Sequence, residues 1–337
     1  MEIDIILNEF ASPQAALELG LMAERYGVRG LWSANYAWSR DPFFTLSLLA
    51  ERSTTIRMGP MAISPAELHP LKMANLLFSL NELSRGRAMI MVGGGGAVLQ
   101  AIGGKRERMV RGARECLEIL KGASADKTLN YKGEVYKVWG YRPAWKTDPP
   151  PLVYFGSNHP QSRRMAVKHA DGLITSDFVV PLMKAFVDDA RAEMRAAGRD
   201  PAGFRFSNFW AWHIKEDAQA SFAEARRELM LRGWLRDKYF APFLDPDELR
   251  IMRAHEKDFL DAFLRGSDRI ENVPAGLVDK MVRNISFAGG LEQIDAAIAT
   301  LRDFAAAGLT EIAIRVHDDP ADALRLIGER VIPALRN

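Results

Sequence analysis

The chain has 337 residues, 48% hydrophobic and 26% charged, and a net charge of +2 from 45 basic and 43 acidic residues scattered among one another. That balance gives no electrostatic footprint for nucleic acid or an anionic membrane surface. No run reaches the roughly 18 apolar residues of a membrane-spanning helix, and the single Cys116 excludes an internal disulfide. The opening Met1-Glu-Ile-Asp4 lacks the basic start and apolar core of a secretory signal, so a cytoplasmic location is expected.

Strand and helix signals then alternate along the chain. A first strand is expected over Ile3 to Leu7, and a helix begins at Ser12-Pro13, with Ser as N-cap and Pro at the first helical position. Leu19, Met22, Ala23 and Tyr26 share one face of that helix before Gly27. A second strand follows over Gly30 to Ser33, a second helix runs from Asp41-Pro42 towards Ser53, and a third strand covers Ile56 to Met61. The third helix, after His69-Pro70, places Met73, Leu76, Leu77, Leu80 and Leu83 on one face and ends at Gly86. A fourth strand, Ala88 to Val92, runs into Gly93-Gly94-Gly95-Gly96. Thr55 to Gly96 is thus a parallel βαβ unit whose last strand ends in bare backbone, where no Cβ stands between chain and ligand. A flexible linker is the bland alternative for the four glycines.

A fourth helix is predicted over roughly Arg106 to Lys121, with Cys116 on the same face as Met109, Ala113 and Leu120, which makes it a core residue rather than a nucleophile. Leu129 to Val138 reads as a β-hairpin around Lys132-Gly133, followed by an aromatic and proline-rich loop from Trp139 to Pro151. Further strands are expected at Leu152 to Phe155, Gly172 to Thr175, Phe206 to Ile214 and Glu311 to Val316. Helices are expected at about Gln161 to His169 and Pro181 to Ala197, and after Pro320.

Eight strands separated by helices, without a phosphate fingerprint after the first, predict an α/β fold: one (β/α)8 TIM-barrel domain over residues 1–337. A helical insertion, about 217–290, separates strands seven and eight and carries Trp234, Phe240, Phe243 and Phe259 as buried candidates. An excursion of that size at a barrel mouth shapes or covers the active site.

In such a barrel the chemistry sits just after each strand. The positions there are Glu9, Asn35-Tyr36, Met61 to Ser64, Gly93 to Gly96, Gly156 to His159, Ser176-Asp177, Trp212-His213 and Arg315 to His317. No HExxH, Walker lysine, GxSxG or CxxC motif is present, and the dispersed histidines predict no metal site. Gly156-Ser157-Asn158-His159 follows a strand and opens a helix bearing Arg163 and Arg164, which suits a phosphate; an ordinary N-capping turn with solvent-facing arginines fits equally well.

Gly59-Pro-Met-Ala-Ile-Ser-Pro65, His69-Pro70, Leu83-Ser84-x-Gly86-Arg87 and the glycine-rich strand end resemble the bacterial luciferase-like family, over nearly the whole chain and least clearly over 232–272. The branch most similar is that of methylenetetrahydromethanopterin reductase-like enzymes, which use the deazaflavin F420; FMN enzymes share the superfamily pattern. The resemblance implies a strained bulge at Met61-Ala62-Ile63, with a non-prolyl cis peptide at Met61-Ala62, pressed against the cofactor ring. It implies that Gly93, Gly94 and Gly95 border that ring and that Gly156, Ser157, Asn158 and His159 hold the cofactor phosphate. From the residues alone, Met61 and Ile63 equally well fill the barrel interior.

Two departures from the family stand out: Asn35-Tyr36 where many relatives have an acid followed by His, and Gly96 where the sugar-phosphate dehydrogenases have a Glu. Sugar-phosphate chemistry is therefore not carried over. Tyr36, Asn35 and His213 are the catalytic candidates, with His317 as a further proton carrier, and Glu9, Trp38 and Trp212 are candidates to line a substrate cavity. For each, a structural role is the alternative. The expected activity is that of a flavin-type oxidoreductase on a small organic substrate, with reduced FMN as cofactor because Val153-Tyr-Phe-Gly-Ser157 resembles the FMN monooxygenases, and with F420 hydride transfer as the alternative. The resemblance also implies a homodimer and, for an FMN enzyme, a separate flavin reductase. A non-catalytic flavin-binding relative is the reading from another class.

Overall fold

The computed structural model describes residues 1–105, 107–146 and 148–336. In chain order its strands are β1 (Glu2–Leu7), β2 (Gly30–Ala34), β3 (Arg57–Ile63), β4 (Met89–Val92), β5 (Leu129–Lys132), β6 (Lys137–Tyr141), β7 (Leu152–Gly156), β8 (Gly172–Ser176), β9 (Arg205–Trp212), β10 (Ser286–Phe287) and β11 (Glu311–Val316). β5 and β6 form the expected antiparallel hairpin apart from the main sheet. The others make one parallel sheet that closes as the predicted (β/α)8 barrel.

The chain divides into two compact units, one of Glu2–Thr175 with Asp188–Ser207, the other of Met1, Ser176–Val187 and Asn208–Asn337. In the first, β1, β2, β3, β4, β7 and β8 lie side by side in that order. In the second, β9 is flanked by β10 and β11. Strands such as β2 and β11 are buried along their whole length, as parallel strands covered on both faces must be, and apolar residues dominate them beside buried Ser33, Glu311 and Arg315.

Helix boundaries fall where the capping chemistry puts them. Ser12 Oγ accepts the N–H of Ala15 at 3.1 Å, Pro13 opens the helix Pro13–Tyr26, and Gly27 closes it in the left-handed region at φ 79°. Asp41 caps the next helix through Phe44 N at 2.9 Å, but that predicted helix breaks in two, Pro42–Thr45 and Ser47–Arg52. The helix Pro70–Leu83 buries Met73, Ala74, Leu77, Phe78, Leu80 and Asn81. The predicted stripe was therefore rotated: Leu76 and Leu83 are exposed, and Phe78 and Asn81 take their place. Asn81 earns burial by accepting from Ala88 N and donating to Pro149 O, each at 3.2 Å.

A short helix, Gly96–Ala101, interrupts the run between the glycines and the next helix, which spans Met109–Gly122. Its predicted first residue, Arg106, lies outside the described residues. Cys116 is fully buried and burial pushes its thiol pKa up, consistent with a core residue. The insertion is mainly helical as predicted, yet its end forms β10, whose pairing with β9 no apolar pattern announced. Within it Phe240 and Phe259 are buried, Phe243 is half-buried, and Trp234 is 59% exposed rather than buried. Among the described residues no helix is long and apolar enough to cross a membrane.

Arg87 shows how the first unit is braced. It is buried, and its guanidinium donates to Ser53 Oγ (2.7 Å), Ile56 O (2.5 Å), Ala50 O (3.2 Å) and Ser53 O (2.8 Å). One rigid fork thus meets three carbonyls and a hydroxyl around the loop between the helix Ser47–Arg52 and β3. Charge-assisted bonds of this kind are worth about 1.5–3 kcal/mol each at most, and the acceptors would be left buried without them. Arg87→Ala is expected to lower stability by roughly 2–4 kcal/mol in urea unfolding, with Arg87→Lys recovering only a part, because an ammonium cannot span four acceptors in one plane.

Candidate functional site

At the end of β3 the main-chain ladder becomes irregular. The register between β3 and β4 slips between Met61 and Ile63, and the Met61-Ala62 peptide is cis, at the bond the family resemblance indicates. Three donors meet the carbonyls there. Asn35 N bonds Met61 O at 3.0 Å, Asn35 Nδ2 bonds Ala62 O at 3.0 Å, and Gly93 N bonds Ile63 O at 3.0 Å. The structure therefore brings Asn35, Met61, Ala62, Ile63 and Gly93 into one constellation.

The glycines after β4 are there for different reasons. A Cβ on Gly93 would lie 2.9 Å from Ala62 Cβ, so packing against the bulge excludes one. Gly95 has φ 90°, in the region that disfavours side chains. A Cβ on Gly94 would meet only Met109 Cε, at 3.6 Å, so the protein itself tolerates one there.

Tyr36 stacks on Trp38 with ring centroids 5.6 Å apart, and Ser39 Oγ closes the turn beneath them by accepting from Tyr36 N at 3.0 Å. Trp38 is 62% exposed. Arg40 donates to Phe10 O at 2.5 Å, joining this loop to the one carrying half-buried Glu9. None of these contacts reaches the bulge residues.

At the end of β7, Ser157 N bonds Ile174 O at 3.1 Å and Ser157 Oγ accepts from His159 N at 3.1 Å. No side chain caps the following helix, Pro160–His169, which leaves its first-turn N–H groups unclaimed by a cap. Of the two arginines expected to add charge, Arg163 does not: it is buried and paired with Glu193 and Asp189, each at 2.9 Å, bracing one helix to another. Arg164 stays exposed.

Glu67 is the residue that sequence reasoning missed. Its Oε1 accepts from Asn35 Nδ2 at 2.6 Å, and burial raises its carboxyl pKa while the Asn35 and Ser64 hydrogen bonds act the other way. The available signal was an acid in the Ser64-Pro65-Ala66-Glu67 turn directly after the predicted bulge.

A second polar cluster lies in the unit built around β9 and β11. His213 Nδ1–H donates to Glu224 Oε2 at 2.7 Å, and Glu224 Oε1 takes Lys215 Nζ and Asp318 N, each at 2.9 Å. His317 stacks on His213, 4.5 Å between centroids and 23° from parallel. It is only 8% exposed, and its Nε2 is buried without a partner. Nearby Asp177, just after β8, accepts from Gly233 N at 3.0 Å and pairs with Arg232 at 3.4 Å, tying the insertion to a strand end. Trp212 is 1% exposed and gives its indole N–H to Ile214 O at 3.2 Å, so in this structure it packs as core.

A parallel barrel with its polar clusters at the strand ends places the chain among barrel proteins that work at the C-terminal face. The family model of luciferase-like monooxygenases matches residues 4–310, and the chain belongs to that oxidoreductase family. It is 23% identical to a 5,10-methylenetetrahydromethanopterin reductase of Archaeoglobus fulgidus over 94% of both chains. It is also 23% identical to an F420-dependent glucose-6-phosphate dehydrogenase of Amycolatopsis mediterranei, over 48% of this chain and 53% of that one. Among solved structures, the coenzyme F420-dependent tetrahydromethanopterin reductase of Methanopyrus kandleri superposes with a TM-score of 0.83 at 20% identity, covering 98% of each chain.

The histidine pair has a consequence for stability. Burial lowers the pKa of His213 against the pull of Glu224, and burial together with the His213 charge lowers that of His317 well below the ordinary value. The unfolded chain therefore takes up protons, from about pH 6.5 downward, that the folded chain refuses, and stability falls as pH falls through that range. Thermal unfolding followed from about pH 7.5 to about pH 5 is expected to show this loss, with a shallower slope in His317→Asn, which cannot titrate there.

Proposed function

We propose that the protein is an F420-dependent oxidoreductase that transfers hydride between the deazaflavin and a small organic substrate, as a reductase or dehydrogenase. The observation that carries the reading is the archaeal reductase aligned along 94% of both chains, the activity of whose Methanopyrus kandleri counterpart is named as coenzyme F420-dependent. Reduced FMN, the cofactor expected from the sequence, has less support among the relatives than its F420 alternative. FMN chemistry with oxygen remains the second reading, favoured by the Val153-Tyr-Phe-Gly-Ser157 run.

The residues fit a flat ring with a phosphate tail. Met61, Ala62 and Ile63 would lie against the ring, Gly93 to Gly95 beside it, and Gly156, Ser157, Asn158 and His159 at the phosphate. Gly94 is the telling position, because a Cβ there has room against protein atoms; glycine leaves the backbone bare for a ligand instead. Bound F420 supplies the hydride chemistry. The chain's part is to orient the ring by the fixed bulge carbonyls, to offer donors to the phosphate, and to keep water from the reacting atoms.

Fluorescence and calorimetric titrations with F420 and with FMN, oxidised and reduced, test the proposal. F420 is expected to bind with a dissociation constant of about 1 μM or tighter. Gly94→Leu should abolish binding, while Gly94→Ala should fold with unchanged Tm. Binding of neither cofactor in any redox state would refute the reading, and binding of F420 without turnover of any carbonyl, alcohol or imine would favour a non-catalytic relative.

A further inference from the structure

We propose that Glu67 is the acid of the site at the β3 bulge, with its proton carried on Oε2 and destined for a lone-pair acceptor, a carbonyl oxygen or imine nitrogen, of a molecule bound over Ala62. The inference rests on the function proposed above. Three observations carry it.

First, the two carboxyl oxygens are not equivalent. Asn35 Nδ2 is an obligate donor, and it already serves Ala62 O; its bond to Oε1 at 2.6 Å makes Oε1 an acceptor. A proton on Glu67 therefore resides on Oε2. Second, Oε2 is buried and has no hydrogen-bond partner, and no basic side chain is paired with Glu67 among the described residues. A full negative charge would be buried with only the Asn35 and Ser64 hydrogen bonds to hold it, and burial outweighs them to raise the pKa. The titratable groups on the elements packed around this turn are Tyr136, whose hydroxyl donates to Pro65 O at 2.7 Å, and His69, whose ring meets that of Tyr136 edge-on at 5.3 Å. Neither has a charge interaction with Glu67 that offsets its burial.

Third, the position is chemically apt. Glu67 is one hydrogen-bonded side chain away from the Ala62 carbonyl. In the transfer, the O–H bond at Oε2 breaks, a bond from the acceptor atom to that hydrogen forms, and the O–H electron pair stays on the carboxylate. The Asn35 N–H then faces the developing charge at Oε1. An amide at 35 thus has a role of its own here: it is the donor that fixes the acid, in a chain with Gly96 after β4 where an acid could have stood.

Infrared difference spectroscopy of the full chain, with oxidised F420 as the added ligand, tests this. Wild-type protein at about pH 7 is expected to show a protonated-carboxyl C=O band that is absent in Glu67→Gln. Adding F420 should shift that band to lower frequency as Oε2–H gains an acceptor. Asn35→Ala leaves the carboxyl in place and should move the same band by removing the donor on Oε1, and it gives the readout if Glu67→Gln does not fold. F420 binding is followed in the same samples by fluorescence. Binding without a Glu67 band, or with a band that neither F420 nor Asn35→Ala moves, overturns the inference alone. Failure of the wild type to bind F420 overturns the proposed function and the inference with it.

Discussion

Everything proposed for this protein depends on how β3 leaves its ladder. A parallel sheet satisfies backbone carbonyls by regular pairing, and a carbonyl buried without a donor is costly. Between Met61 and Ile63 the register slips: Met61 O and Ile63 O keep ladder donors in Asn35 N and Gly93 N, but Ala62 O, between them, does not. It finds its donor in the side chain of Asn35. The loops after β2 and β4 are thereby locked to the bulge, and a small number of residues becomes hard to replace. Asn35 must supply two donors, and Gly93 must lack a side chain because Ala62 Cβ occupies the space.

The barrel itself was legible because its signals are local. Ser12-Pro13 and Asp41-Pro42 state where helices begin, Gly27 and Gly86 state where they end, and the mainly apolar runs of β2 and β11 state that both faces are covered. What escaped was set by packing direction. The stripe of the helix Pro70–Leu83 was read from leucines alone, yet Asn81 is buried because two main-chain partners meet it, and Leu83 is not. β10 escaped because two residues hold no periodicity.

The site divides along the same line. The bulge, the glycines and the turn at Ser157 are backbone features, and glycines or a proline announce them. Glu67 is a side-chain feature, visible only once the chain turns back so that Asn35 reaches it across 32 positions of sequence. The role of Arg163 was misjudged for the same reason, since nothing near it in sequence discloses Glu193 and Asp189.

The carboxylates of the two polar clusters live with burial differently. Around His213, Glu224 meets an imidazole, an ammonium and a main-chain N–H, and Asp177 meets a guanidinium and a main-chain N–H, although His317 Nε2 and Arg232 Nε have no hydrogen-bond partner. Such networks contribute little net stability against an apolar core but fix one arrangement. At Glu67 one oxygen is answered and the other is not. An acid left half-satisfied beside the slipped end of β3 is where, on the proposal made above, a bound ligand would claim a proton.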